Sequence, residues 1–397
     1  MRKDEGIDND ISGVSSVLIL VDNLRVGGIQ RQVLDQMYLM SDLKIKSTLL
    51  VFDRVSTFKY SNFFKIESQL IENKNLKIVF STSSLREQIT TIKSLIMKDE
   101  ITLILDYTLS GSLKARIAQL FSSHKIPVHC IVQQLASLSD SKQRYKRMFM
   151  AQFSTHLFAN SVNYKKDWMQ YISKNLFTKI FLAKKLSIVR NGIYLPRLNN
   201  SNFIDESFVQ NEKIRVRFVF LGRLRAWKGL NNLSKIDQIL EHKSSFLIIT
   251  PEVESQTVQL LEKKFGSRIE FMFGKTPTDY KPMRGDIHIY AVDYGDKFEI
   301  IESVSTNCLE MAYVGVPSLI TKGGGENWPE LRVNELIFEV DWNNEESIMS
   351  GVNSAINSYE AKRDWQQIIE AINVGESLRM HTEFLRARQG KKSSNIN

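Results

Sequence analysis

The stretch RFVFLGRLRAWKGL, residues 217 to 230, contains the features that decide the fold. It opens with the apolar run 217–221, which has the length and composition of a buried strand. Gly222 permits a sharp exit from that strand, and helical spacing of apolar residues begins at Leu230. Strands and helices also alternate before this stretch, so position 217 marks the start of a second α/β unit.

Short apolar runs alternate with longer helical patterns on both sides of this restart. Predicted strands before it cover residues 17–21, 47–52, 77–80, 103–105, 127–132, 156–159 and 186–189. Predicted strands from it onward cover residues 217–221, 246–249, 269–271, 287–290 and 318–321. Such alternation is typical of parallel sheets covered by helices on both faces. We therefore predict an α/β fold with two doubly wound, Rossmann-like domains that face each other across a cleft.

The chain of 397 residues exceeds the size at which one hydrophobic core keeps growing. We predict an N-terminal domain over residues 1–190, a C-terminal domain over 191–375, and a helix with a polar tail over 376–397. The segment 195–215 is rich in Asn and in charge and has little periodicity, so it is the predicted linker. Because ligands of doubly wound sheets bind beyond the carboxyl ends of strands, the loops that follow strands are the places to seek chemistry.

The composition is that of an ordinary globular protein, with 43% apolar and 24% charged residues. No apolar run approaches the roughly 20 residues that cross a bilayer, and the polar N-terminus lacks the apolar centre of a secretory signal. The only cysteines, Cys130 and Cys308, each lie within an apolar stretch. Buried free thiols in a reducing cytoplasm are the expectation.

Positive charge is concentrated in the first half of the chain. Residues 1–190 contain 28 Lys and Arg against 16 Asp and Glu, whereas the remainder contains 25 against 28. This asymmetry indicates an anionic partner, such as a phospholipid surface or a phosphate-bearing acceptor; a solvated basic face is the alternative. The segment 142–150 mixes cations with aromatic residues and predicts an amphipathic helix of the membrane-surface type. The alternative is that its aromatic side chains face the core.

Three loops that follow strands contain candidate binding residues. Gly27 and Gly28 open a helix, where backbone amides can approach a phosphate, although a glycine pair also serves a tight turn. Arg223 and Lys228 precede the helix that begins at Leu230. Two cations there oppose the helix dipole, which an anion between them would relieve; solvated loop cations are the alternative.

The third loop is the segment between Glu302 and Glu310. Small polar residues precede a helical run, for which Ser305 or Thr306 is a suitable N-cap. Two carboxylates beside a helix N-terminus can hold sugar or ribose hydroxyls while free amides hold phosphate. The alternative is that Glu310 only complements the helix dipole and that Glu302 is a surface charge.

Together these loops resemble the retaining nucleotide-sugar glycosyltransferases of the GT-B fold, family four, over residues 17 to 375. The resemblance rests on matching residues in four motifs: Gly27 and Gly28; Asn191 and Gly192; Gly222, Arg223, Leu224, Lys228 and Gly229; and Glu302, Glu310, Ala312, Gly315 and Pro317. It implies transfer of a sugar, with retention, from an NDP-sugar to a hydroxyl of a saccharide, such as a lipid-linked precursor of surface polysaccharide. It also implies a cytoplasmic enzyme, peripheral on the inner face of the membrane through its basic N-terminal domain.

The resemblance also implies residue roles. Arg223 and Lys228 would clamp the donor diphosphate and stabilise the leaving nucleotide, Glu310 would bind the ribose hydroxyls, and Glu302 would contact the transferred sugar. The remaining donor contacts implied are those of Gly27, Gly28, Gly274, Lys275, Ser305, Thr306 and Asn307. The chain departs from the family at 303–305, where Ser-Val-Ser replaces Gly-Phe-Gly, so the resemblance does not determine which sugar the donor contains. It also departs at Gln133, where the family often has a histidine; Gln133 is an acceptor-side candidate. His129 lies nearby, within a strand, and is interpreted as a packing residue.

We expect no metal or cofactor, because no Cys or His pair has the spacing of metal ligands. Positive side chains can stabilise developing negative charge in place of a metal ion. Asp8 and Asp10 resemble the metal-binding triplet of another glycosyltransferase fold but lie in the polar N-terminal tail. Two alternatives stay open: a non-catalytic GT-B relative that binds saccharide or nucleotide, and a sugar-nucleotide epimerase of the same fold. A nucleic-acid partner is not expected, since no binding module is recognisable.

Overall fold

The computed structural model describes residues 14–24, 28–53, 74–81, 84–108, 110–132, 136–137, 139–174, 176–198, 216–225, 228–251, 255–274, 279–292 and 304–393. The chain forms two compact units. Unit 1 comprises Met1–Tyr194 and Val374–Asn397, and unit 2 comprises Leu195–Asn373. The domain boundaries predicted after residues 190 and 375 stay predictions.

Unit 1 is built on a sheet that has seven parallel strands among the described residues, in the order β3-β2-β1-β4-β5-β6-β7. Its strands are β1 (Ser16–Val21), β2 (Lys46–Val51), β3 (Leu76–Phe80), β4 (Leu103–Asp106), β5 (Val128–Val132), β6 (His156–Ala159) and β7 (Leu186–Ile188). With helices numbered along the whole chain, its helices are α1 (Gly28–Asp42), α2 (Leu85–Lys98), α3 (Ser110–Leu120), α4 (Ser141–Ala151), α5 (Val162–Ile172), α6 (Leu176–Leu182) and α13 (Val374–Ser393).

The buried strand β1 contributes to a core on each face of this sheet. Leu18 packs in a core with Ile92 of α2. The neighbouring Ile19 packs in the opposite core with Met37 of α1 and Leu378 of α13. Consecutive strand residues point to opposite faces, so α2 covers one face and α1 and α13 cover the other. Burial on both faces explains why β1 is apolar at nearly every position.

Helix α13 packs on unit 1, although it follows unit 2 in the chain. The Gln36 side-chain amide donates to Ser377 Oγ at 3.2 Å, and Tyr107 OH donates to Gln36 Oε1 at 2.6 Å. The Val374 amide donates to the Ile193 carbonyl oxygen at 3.0 Å. The sequence predicted a helix near this position but gave no partner for it.

A pair of buried histidines joins α13 to the sheet. His381 of α13 and His129 of β5 are fully buried, and their Nδ1 atoms lie 3.2 Å apart. One Nδ1 must donate and the other accept, so at least the accepting ring is neutral. Burial, reinforced by nearby His156, lowers the pKa of His381 to about 3. The interpretation of His129 as a packing residue is confirmed.

Unit 2 is built on a second parallel sheet, with the strand order β10-β9-β8-β11-β12-β13 among the described residues. Its strands are β8 (Arg217–Leu221), β9 (Ser245–Thr250), β10 (Ile269–Phe273), β11 (Asp286–Tyr290), β12 (Ser318–Thr321) and β13 (Ile337–Val340). Its helices are α7 (Leu230–Ile239), α8 (Ser255–Phe265), α9 (Thr306–Tyr313), α10 (Pro329–Val333), α11 (Glu345–Asn357) and α12 (Trp365–Ile372). The α/β fold with two doubly wound parallel sheets is confirmed.

The strand β13 was missed at the sequence level. It has four residues and includes Glu339, which interrupts the apolar run. The structure gives this carboxylate a role: it accepts hydrogen bonds from the backbone amides of Gly323 and Gly325, each at 3.0 Å. A Cβ on Gly325 would come within 2.8 Å of the same carboxylate, which would have to shift to make room.

Each sheet has one point at which the strand order reverses. In unit 1 the chain winds one way from β1 and the other way from β4, and these two strands are neighbours. In unit 2 the corresponding neighbours are β8 and β11. Ligands of doubly wound sheets bind beyond the carboxyl ends of the strands at such points. The loops after these four strands are therefore where ligand-binding residues are expected.

The free energy of unfolding should fall as the pH is lowered from the ordinary histidine pKa of 6.5 towards 3, the value to which burial lowers the pKa of His381. In this window the unfolded chain binds a proton that the folded chain does not, so acid favours unfolding. Replacing His381 with Gln should reduce the slope by up to about 1.4 kcal/mol per pH unit. Urea unfolding at several pH values measures the slope. His124→Gln, at an exposed position, is the control and should leave it unchanged.

Candidate functional site

The loop that follows β8 is shaped by two glycines with positive φ. Gly222 has φ 131° and ends the strand, and Gly229 has φ 81° and caps α7. A Cβ on Gly229 would overlap the carbonyl oxygen of Ala291, the residue that follows β11. Only glycine fits there, because the backbones after two neighbouring strands are in direct contact. The contact places Lys228 at the reversal point of the sheet.

Lys228 lies next to the end of β11 and to the start of α9. Its Nζ is 5.2 Å from the centre of the Tyr290 ring. Burial raises the pKa of the Cys308 thiol to about 11, and the positive charge of Lys228 is among the smaller influences that oppose this rise. A cation beside the first turn of a helix adds to the positive end of its dipole. This corner of unit 2 therefore favours an anion.

The first turn of α9 is tied to the end of β8. Ser305, one of the two predicted candidates, is the N-cap, and its Oγ accepts a hydrogen bond from the Cys308 amide at 3.4 Å. The Asn307 side-chain amide donates to the carbonyl oxygen of Leu221 at 2.9 Å. The helix after β11 is thus fixed against the strand that precedes Lys228. The sequence-predicted residues Ser305, Asn307 and Lys228 meet at one place.

Glu310 lies one turn into α9, with 1% of its side chain exposed. Its Oε1 accepts a hydrogen bond from Nη2 of Arg197 at 2.8 Å, and the Arg197 side chain is 21% exposed. A buried carboxylate is costly unless a cation and hydrogen bonds compensate for lost water. Arg197, in the short 3-10 turn Leu195–Arg197, supplies both. The sequence gave no signal for this pair, because 113 positions separate the partners.

Arg223 differs from the other charged groups of the site. Its side chain is half-buried, and the guanidinium makes no hydrogen bond or ion pair with any residue that the structure describes. A guanidinium presents five donors in a planar fork. It is therefore placed to bind an anionic group that approaches from solvent.

The other predicted site residues are spread over several loops. Gly28 is the first residue of α1 in unit 1, and Gly274 follows β10 in unit 2 with φ 64°. Thr306 is the first residue of α9 and is buried. The predicted residues that lie outside the described part of the chain are Gly27, Gln133, Lys275 and Glu302.

A polar group at the reversal point of unit 1 was missed at the sequence level. Asp22 follows β1, and Lys114 of α3 lies with its Nζ 3.8 Å from the centre of the Phe52 ring. Burial lowers the pKa of Lys114, and the negative charges of Asp22 and Asp106 oppose that shift. Asp106 itself accepts hydrogen bonds from Thr108 and Ser112 and so holds the start of α3. The first unit thus has carboxylates beside its reversal point, which the sequence analysis did not identify.

Both cysteines are buried free thiols, as predicted. Among the described residues, no three His, Cys, Asp or Glu side chains gather as ligands of a metal ion would. No described helix combines the length and apolar composition that a membrane span requires.

Neither the known protein-family profiles nor the curated protein sequences match this chain. Solved structures do. HepE from Anabaena, in complex with UDP and glucose, matches with a TM-score of 0.65 and 13% identity, over 94% of this chain and 100% of that one. The lipopolysaccharide outer core galactosyltransferase WaaB matches with a TM-score of 0.59 and 12% identity, over 94% and 99%. UDP-GlcNAc 2-epimerase from Methanocaldococcus jannaschii matches with a TM-score of 0.53 and 14% identity, over 94% and 99%.

The matches extend over nearly the whole of both chains, so they concern the entire α/β architecture and not one unit of it. Identities this low establish the fold, while chemistry depends on the individual site. The chain has the GT-B fold, which the WaaB galactosyltransferase shares.

The Gly229–Ala291 contact predicts a large effect of a single methyl group. Gly229→Ala should lower the free energy of unfolding by about 3 kcal/mol, because the new Cβ overlaps a backbone oxygen and the residue has positive φ. Gly274→Ala is the matched control: its φ is also positive, but nothing lies within 4 Å of the added Cβ. It should cost only about 1 kcal/mol. Equal losses in urea unfolding would show that the contact with Ala291 does not matter.

Removal of Arg197 should expose the cost of the buried carboxylate. Arg197→Ala should lower the free energy of unfolding by about 2 kcal/mol or more, since the buried Glu310 carboxylate loses its ion pair with Arg197. Adding Glu310→Gln should recover part of the loss, which a double-mutant cycle in urea measures. Arg223→Ala is the control and should leave stability nearly unchanged. Additive losses in the cycle would contradict the coupling.

Proposed function

We propose that this chain is a retaining, NDP-sugar-dependent hexosyltransferase of the family-four type that transfers a sugar to a hydroxyl of a saccharide. One observation carries the proposal: Lys228 and helix α9, which bears Glu310 and whose first turn is tied to the end of β8, converge at the reversal point between β8 and β11. That place offers positive charge for a diphosphate and a carboxylate for ribose hydroxyls. HepE, of the same fold, was solved in complex with UDP-glucose, which supports a nucleotide-sugar ligand.

In this proposal Arg223 and Lys228 hold the donor diphosphate. The bond between the anomeric carbon and the phosphate oxygen breaks, and a bond to the acceptor oxygen forms on the same face of the sugar. The acceptor proton ends on the departing phosphate, so atoms and charge balance. Cations and helix amides already aimed at the phosphate stabilise the charge that develops on it. The same positive groups are the reason to propose a metal-independent reaction.

Glu310 binds the ribose hydroxyls in this proposal, and Arg197 shares its carboxylate. A carboxylate has about four lone-pair sites, so an arginine and two hydroxyls can be accommodated together. Because only 1% of the Glu310 side chain is exposed, the groups that cover it must move when the donor binds. The hydrogen bond from Arg197 keeps the carboxylate oriented while that exchange takes place.

The remaining roles are those that the family resemblance implies. Glu302 contacts the transferred sugar, backbone groups at Gly274, Lys275, Ser305, Thr306 and Asn307 contact the donor, and Gly27 and Gly28 approach its diphosphate. Gln133 is the acceptor-side candidate. We place the reaction in the cytoplasm, at the inner membrane face, with a lipid-linked saccharide as acceptor. The fold match to a lipopolysaccharide galactosyltransferase supports that class of acceptor.

The test of this proposal begins with nucleotide binding. UDP and UDP-sugars, then GDP and dTDP and their sugars, should be screened by thermal shift. A ligand at about 100 times its Kd stabilises the folded state by about 2.7 kcal/mol. Arg223→Ala and Lys228→Ala should lose that shift, whereas Lys264→Ala, at an exposed position of α8, should keep it. If no nucleotide raises the melting temperature, the proposal is wrong.

Chemistry is tested with the nucleotide that binds. Release of nucleotide in the presence of a saccharide acceptor should persist in EDTA, and proton NMR should show the donor's anomeric configuration in the product. An inverted product would contradict retention. Binding without transfer or hydrolysis would favour the non-catalytic alternative, and release of an epimerised sugar would favour the epimerase.

A further inference from the structure

Aromatic residues occur among the exposed apolar side chains of both units. In unit 1, Tyr145 and Phe149 of α4 are exposed, so the interpretation in which the aromatic residues of 142–150 face the core is wrong. In the described part of unit 2, Phe273 is the only aromatic residue among the exposed large apolar side chains, and it is 38% exposed. A single exposed apolar side chain is ordinary by itself. The position of Phe273, at the carboxyl end of β10, distinguishes it.

The ring of Phe273 is stacked on the ring of Phe271. The two ring centres are 5.4 Å apart, and the two planes differ by 5°. Residues two apart in a strand share a face of the sheet, and Phe271 packs against the core of unit 2. Phe271 therefore covers the inner side of the Phe273 ring, and the exposed part of that ring lies towards the end of the strand. A third flat ring placed there would continue the stack.

Strand register places Phe273 level with the loop that follows β8. Phe273 pairs with Thr250 of β9, and the Gly222 amide donates to the carbonyl oxygen of Ile249 at 3.0 Å. Gly222 directly precedes Arg223, one of the two cations proposed for the diphosphate. Neighbouring strands lie about 4.8 Å apart, so the ends of β10 and β8 are about 10 Å apart along the carboxyl edge of the sheet.

A ligand anchored by its diphosphate at the reversal point extends along this edge. Towards β12, the Val304 amide donates to the carbonyl oxygen of Gly324 at 3.4 Å, so the loop after β12 packs against the segment that precedes α9. Towards β10, a Cβ added to Gly274 would meet nothing within 4 Å. Among the described residues, the open space along the edge is therefore beside Phe273.

We propose that Phe273 is a stacking platform for the nucleobase of the donor, an inference that rests on the proposed function. A base is flat and aromatic, and it lies at the opposite end of the nucleoside from the diphosphate. Stacking on an aromatic side chain uses only the face of the base. The hydrogen-bonding edge of the base is left to backbone groups at Gly274 and Lys275, which are the contacts that the family resemblance implies. That resemblance implies no ring at this place.

A second copy of this chain is a less suitable partner for the ring. Strand β10 is at one edge of the described sheet of unit 2, so another strand would have to pair with it there. Glu270, exposed on β10, would then lie close to its copy in a two-fold arrangement. Charged side chains on an edge strand oppose such pairing. A neutral base meets no such repulsion.

Nucleotide affinity of a Phe273→Ala variant tests the inference. For the nucleotide that gives the largest thermal shift, the dissociation constant should rise about 10-fold, since one base–aromatic stack is lost. Phe273→Tyr should restore most of the affinity, because it keeps the ring. Leu260→Ala, at a position of α8 that is 66% exposed, is the matched control and should bind the nucleotide as the unchanged protein does. Unaltered affinity in Phe273→Ala would overturn the proposal.

Inorganic pyrophosphate and saturation-transfer NMR separate stacking from a general loss of structure. Pyrophosphate has no base, so Phe273→Ala should bind it as the unchanged protein does, and a loss equal to that of the nucleotide would refute the assignment to the base. In the unchanged protein, the base protons of the bound nucleotide should receive more saturation than the ribose protons. This ratio should fall in Phe273→Ala, and an unaltered ratio would contradict the stack.

The remaining outcomes keep this inference separate from the proposed function. If nucleotide binding depends on Arg223 but not on Phe273, only the stacking platform is wrong. If no nucleotide binds the unchanged protein, the proposed function fails and the platform fails with it. A change of oligomeric state in Phe273→Ala, with nucleotide affinity intact, would assign the ring to a second copy instead.

Discussion

The contact between Gly229 and Ala291 sets the geometry on which the candidate site of unit 2 depends. Two backbones that follow neighbouring strands touch there, with no room for a side chain. The hydrogen bond from Asn307 to Leu221 fixes the helix after β11 against the same strand end. Together these contacts determine where Lys228 lies relative to the first turn of α9. The proposed binding of a diphosphate depends on that separation, because a phosphate must reach the cation and the amides at once.

Charge in unit 2 follows a consistent arrangement. Its buried carboxylates have partners: Glu310 has Arg197, Asp286 has Arg217, and Asp237 has Arg268. Arg223, in contrast, makes no ion pair with the described residues. Unit 2 has 20 Lys and Arg against 26 Asp and Glu and can still present local positive charge, since neutralisation occurs in the interior and the cations remain at the carboxyl edge of the sheet. Net charge alone does not reveal this arrangement.

Unit 1 separates the ends of its strands from the ends of its helices by the same parallel topology. All strands of a parallel sheet end at one edge, and the helices that return along it end at the other. Asp22, Phe52 and Lys114 therefore lie near the ends of the strands, whereas α3, α4 and α6 end close together at the opposite edge. The sequence showed the excess of positive charge in residues 101–190, but only the packing showed which helix ends meet.

The sequence by itself determined the features that depend on nearby residues. Apolar runs and helical spacing located twelve of the described strands, and small polar residues before a helix limited the N-cap to Ser305 or Thr306. The four-residue strand β13 was not predicted, because Glu339 interrupts its apolar run. Only the tertiary structure decided the pairing of Arg197 with Glu310, the packing of α13 on unit 1 and the exposure of Tyr145 and Phe149. These depend on contacts between residues far apart in the chain, and local periodicity contains no information about which distant side chain compensates a buried charge or covers an apolar face.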